Sequence, residues 1–148
     1  MTDGSKRTLQ QRAAARRLWS PPDADGLLPF WTMRQLWELA AKLPVKKLRV
    51  ADLARELDEV RWFSEAHQKF PTCRAVAEHA RDIFEADFSH PIILNPQGEV
   101  VDGMHRLCKA WLEGIEEIDA VQLQTMPEPA GRELGGGEKN GLSSSDDG

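Results

Sequence analysis

The stretch from Pro91 to Leu123 restricts the fold more than any other part of the chain. Pro91-Ile92-Ile93-Leu94 is a short apolar run, too short for a helix of its own and suited to a strand buried on both faces. Asn95-Pro96-Gln97-Gly98 is a strong turn signal, and Glu99-Val100-Val101 can return as the second arm of a hairpin. Asp102 then opens a helix whose Met104, Leu107, Cys108, Trp111 and Leu112 fall on one apolar stripe. Gly114 suits the position just past its end, and Glu116 to Leu123 reads as a closing strand.

Upstream, the ordered region is expected to begin near Leu28. Met33 to Leu43 reads as a short helix with Leu36, Trp37, Leu39 and Ala40 near one face, stopped by Pro44. Val45 to Val50 alternates like a strand, and Asp52 can cap a short helix through Leu57. Pro71 to Phe84 predicts a longer helix, started by Pro71 or Thr72, with Cys73, Val76, Ala80, Ile83 and Phe84 on its buried face. This order of elements defines a compact α+β domain with a small mixed sheet. Its expected span is residues 28–126. Residues 1–27 read as a flexible basic arm carrying Lys6, Arg7, Arg12, Arg16 and Arg17, set off by Pro21-Pro22, and residues 127–148 read as a disordered acidic Gly/Ser tail.

Charge and cysteine usage exclude several functions. A net charge of −5 gives no long-range attraction to nucleic acid or anionic lipid, so a DNA or protein partner would have to use a local patch such as the basic arm. Two cysteines without a CxxC make a disulfide framework or zinc ribbon unexpected and a reducing cytoplasm the default. No apolar run approaches the roughly 20 residues that span a bilayer, and Met1 to Ser20 shows no signal-peptide core, so no membrane role is expected.

The chemistry is expected at Val101-Asp102-Gly103-Met104-His105-Arg106, where a strand runs straight into a helix through a glycine. With Asp102 as N-cap, the amides of Gly103 and Met104 lack helical partners, and the helix dipole adds positive character there. His105 and Arg106 flank that mouth, which makes a phosphate site. The residues alone leave a second reading open: Asp102 is a cap, Gly103 eases a turn, and His105 and Arg106 are surface groups. A carboxylate beside a phosphate is also repulsive unless it caps or shares a magnesium ion.

Asp102-Gly103-x-His105-Arg106-Leu107-x-x-Ala110, with the preceding hairpin and with Leu112, Gly114 and the closing strand, resembles the phosphate-binding box of the ParB/sulfiredoxin superfamily. Lys47 to Leu53 is similar to that family's first strand and helix start, so the resemblance spans roughly Val45 to Leu123. ParB proteins bind and hydrolyse CTP through Gly-Glu-Arg-Arg. Sulfiredoxins bind ATP through Gly-Cys-His-Arg, and some free-serine kinases carry Asp-Gly-His-His-Arg. The resemblance therefore implies a bacterial-type domain binding ATP or CTP with Mg2+. Gly103, Met104, His105 and Arg106 would hold phosphates, Asp102, His105 and Arg106 would act in any hydrolysis or phosphate transfer, and Asp102 would help place the metal. Met104 stands where sulfiredoxins carry their cysteine, which argues against sulfinic-acid reduction. Nothing after Leu123 resembles the helix-turn-helix of a full ParB, so specific DNA binding is not expected. The alternative is a non-catalytic regulatory module that keeps the fold and contacts a protein or DNA partner.

Asp52, Glu56, His90 and Glu99 are further candidates to line the pocket, each also explained as a cap, edge or solvated residue. His67 and His79 stand apart from any cysteine pair, and metal ligation by them is not expected. Cys73, Cys108, Trp37 and Trp111 are assigned to the core, while Trp62-Phe63 is expected to cover the pocket or dock a partner.

Overall fold

The computed structural model describes residues 9–134 apart from residue 66. The four-stranded sheet is built from β3 (Lys46–Arg49), β6 (Glu117–Gln122), β4 (Ile92–Leu94) and β5 (Val100–Asp102), in that spatial order. β4 and β5 form the hairpin turned by Asn95, whose Oδ1 accepts the amides of Gln97 and Glu99. Helix α5 (Met104–Glu113) then crosses back so that β6 runs parallel to β4, with Ile92 opposite Ala120.

Alternation along β4 decides how the layers stack. Ile92 and Leu94 face Met104, Leu107 and Ala110 of α5, together with Val50 and Leu53. Ile93 faces the other way, with Val121 and Leu123, onto Met33, Leu36 and Ala40 of α2 (Met33–Ala40). The sheet is thus covered on both sides, which is why the run reads as unbroken apolar residues. α2 begins with a capping box: Thr32 Oγ1 accepts the Gln35 amide while Gln35 Oε1 accepts the Thr32 amide.

The ends of the domain differ from expectation. Residues 9–27, read as an arm, carry α1 (Leu9–Ala14) and β1 (Arg17–Trp19). β1 pairs with β2 (Leu27–Thr32), and Asp23 Oδ1 accepts the amides of Asp25 and Leu27, so Pro21 to Gly26 is a hairpin turn and not a linker. Part of the expected tail, β7 (Gly131–Leu134), pairs with the other edge of β2. Gly131 is needed there, because a Cβ would lie 2.8 Å from the Phe30 ring. Residues 1–8, with Lys6 and Arg7, and residues 135–148 lie outside the described residues.

Two helices present unexpected faces. α4 (Cys73–Glu85), capped by Thr72, buries Asp82 and half-buries His79 while Cys73, Val76 and Phe84 are exposed, Phe84 by 80%. Trp111 and Leu112 of α5 are also exposed, against the expectation that Trp111 belongs to the core. Asp52 sits exposed in a 3₁₀ turn (Val50–Leu53) that has no side-chain cap, so it does not start the short helix α3 (Ala54–Leu57).

Candidate functional site

β5 ends on Asp102 and α5 begins at Met104, with Gly103 as N-cap at φ 111°. The expected cap therefore moves by one residue, because only glycine takes this left-handed backbone without strain. Its missing side chain is also a packing need: a Cβ on Gly103 would meet Ile92 Cγ2 at 2.5 Å. The first intrahelical bond runs from the Leu107 amide to the Gly103 carbonyl, so the amides of Met104, His105 and Arg106 have no acceptor within α5. Gly103 supplies no capping side chain.

Asp102 is buried instead at the junction of three elements. Its Oδ1 accepts from Arg16 Nη2 at 3.3 Å, and its Oδ2 from Trp37 Nε1 at 3.0 Å and Arg106 Nη2 at 3.3 Å. Both oxygens are engaged by donors, which satisfies a carboxylate that is only 5% exposed. Arg106 is similarly committed: its Nη1 donates to the carbonyls of His90 and Pro91 at 2.6 and 2.7 Å. It therefore ties α5 to the start of β4.

His105 turns toward α4. Its Nε2 stands 2.9 Å from His79 Nδ1, and Trp62 stacks on both rings at 4.5 and 4.4 Å. Burial first, then the Arg16 cation and His79, push the His105 pKa down to about 3, and burial also lowers that of His79. Both rings are thus neutral at pH 7. Asp82, one turn beyond His79, accepts from Arg12 Nη2 at 2.5 Å.

Two clefts flank the Asp102–Gly103 junction. The larger, of about 800 Å³, is lined by Arg16, Arg61, Trp62, Phe63, Gly103 and Met104 among others. The second, of about 680 Å³, is lined by Arg16, Trp37, His90, Gly103, His105 and Arg106 among others. The structure thus brings Asp102, Gly103, Met104, His105, Arg106 and His90 together. Glu56 is buried as a support: it pairs with Arg61 and accepts the Val100 amide at 3.0 Å, fixing Arg61 at the rim of the larger cleft. Glu99 is solvent-exposed and bonded to Asn95, and Asp52 lines neither cleft. Sequence reasoning did not foresee Arg12, Arg16, His79 or Asp82 at this site. Their partners lie 70 to 86 residues away for the two arginines, and no local signal indicates that destination.

No protein-family model, no curated protein and no solved structure matches this chain.

Proposed function

We propose that this domain binds a nucleotide, ATP or CTP, in the larger cleft, with its phosphates at the mouth of α5. The observation that carries the reading is the uncapped helix start at Gly103, opening beside Arg16 and Arg61 in a chain of net charge −5. Free amides, the helix dipole and guanidinium groups complement a phosphate. The cleft volume of about 800 Å³ lies within the range of small-molecule sites, and Phe63 and Trp62 offer aromatic surface to a base. The resemblance to ParB and sulfiredoxin domains points to the same ligand class. Binding is favoured over turnover, because Asp102, His105 and Arg106 already have protein partners. Magnesium would come with the phosphates, since both Asp102 oxygens are occupied. A cytoplasmic setting fits the free, exposed Cys73.

Titration calorimetry with Mg-ATP and Mg-CTP tests this. The expected result is that one nucleotide binds, that the affinity weakens with salt, and that Arg16→Ala loses it by about tenfold or more. Absence of heat with both nucleotides at millimolar concentration would reject the reading.

A second reading, a protein-binding module, is favoured by the exposed apolar side chains Val76 and Phe84 of α4 and Trp111 and Leu112 of α5. DNA binding by the basic arm has less support, since Arg12 and Arg16 are directed to the protein's own Asp82 and Asp102. Among the described residues no helix is long and apolar enough to cross a membrane.

A further inference from the structure

We propose that His79, Asp82 and His105 form a binding site for one divalent transition-metal ion, of the zinc, iron or cobalt class. The site does not depend on the nucleotide reading. His79 and Asp82 lie three residues apart on one face of α4, and His105 reaches them from the first turn of α5. One ligand atom from each of the three falls within 4.8 Å of the others.

The geometry is close to what an ion requires. Two imidazole nitrogens bound to a tetrahedral zinc, each at about 2.0–2.1 Å, stand roughly 3.3 Å apart. The observed 2.9 Å between His79 Nδ1 and His105 Nε2 needs to open by only a few tenths of an ångström. The shared proton would move to the other nitrogen of its ring, leaving two lone pairs for the metal. Neutral imidazoles are the ligating form, and burial holds both rings in it. Both arginine contacts of Asp82, from Arg12 and Arg81, fall on Oδ1, which leaves Oδ2 for an ion.

The surroundings fit a metal centre. Trp62 stacks within 11° of both rings and fixes their orientation, a supporting role that outer groups commonly play around metals. Arg12 contacts both Asp82 and Glu85 and Arg81 contacts Asp82, so two carboxylates offset two guanidinium groups and no net positive charge from these contacts opposes an ion. Asp82 lines both clefts, His79 the larger and His105 the smaller, so the ion has a path in and three protein ligands leave a coordination position open. Two imidazoles select a borderline metal over magnesium or calcium, which prefer all-oxygen sites.

The test uses the untagged full chain, stripped with chelator and titrated with Zn2+ in the absence of nucleotide, with Tm and calorimetry as readouts. The expected result is one Zn2+ per chain, a rise in Tm with Zn2+ and none with Mg2+. His79→Gln and His105→Gln should each weaken binding about hundredfold, and His67→Gln should leave it unchanged. Should the glutamine variants fail to fold, the wild-type Tm response decides alone. No Zn2+ binding, an equal response to Mg2+, or wild-type affinity in both folded variants would overturn the proposal. A chain that binds Zn2+ but neither ATP nor CTP removes only the nucleotide reading, and the converse removes only this one.

Discussion

At the scale of single residues, the strand-to-helix junction is where small changes act most strongly. Gly103→Ala combines a left-handed backbone with a Cβ inside the Ile92 side chain. A loss of about 3 kcal/mol is expected, read as a lower urea midpoint with an unchanged slope. Asp102→Ala strands Arg16 and Arg106 around a buried void and should cost a similar amount, about 3 kcal/mol, in the same measurement. His105 gives a pH dependence whose sign follows from its shift. Its ordinary pKa is 6.5 and the fold lowers it to about 3, so below 6.5 the unfolded chain takes up a proton that the folded chain refuses. The stability this neutral ring contributes is whole above 6.5, is lost as the pH falls toward 3, and changes no further below that. The Tm of the wild type should therefore fall on acidification through this window, and His105→Gln should flatten that part of the decline.

At the scale of elements, legibility followed locality. The β4–β5 hairpin, α5 and β6 are readable because turn residues, apolar runs and helical spacing lie within one short stretch, Pro91 to Leu123. α4 is readable as a helix but not in its orientation. The usual rule sends the apolar face inward, whereas here His79 and Asp82 are drawn in by His105 and Arg12. Cys73, Val76 and Phe84 are left facing solvent. Lys109 locks this arrangement by donating to the carbonyls of Phe84 and Ala86 at the end of α4, at 2.9 and 2.8 Å. Phe84→Ser combined with Trp111→Ser should change stability by no more than about 0.5 kcal/mol per site, since both side chains are exposed. A marked loss of self-association or of a partner in sedimentation would identify these side chains as part of an interface. At the site itself, the glycine turn and the His105–Arg106 pair were visible in the sequence. Their partners were not, because Arg16 and Trp37 come from 86 and 65 positions away.

At the scale of the whole molecule, the two ends of the domain meet in the sheet β1–β2–β7. Trp31 Nε1 and Gln35 Nε2 donate to the carbonyls of Pro127 and Glu128, which guides the chain from β6 back to that sheet. Deleting residues 131–148 removes the strand beside β2, and a fall in Tm of several degrees is expected in a thermal melt. The affinity for the nucleotide proposed above should fall with it, because β1, which begins directly after Arg16, belongs to the same sheet. The pairing also sets an order of events during synthesis. A chain grows from its N-terminus, so the segment that carries Arg12 and Arg16 emerges first but gains the far edge of its sheet only when Leu134 has left the ribosome. β1, which follows Arg16, thus belongs to a sheet completed only at the end of synthesis, and a chain released before Gly131 would carry Arg16 and the glycine turn without that sheet's third strand.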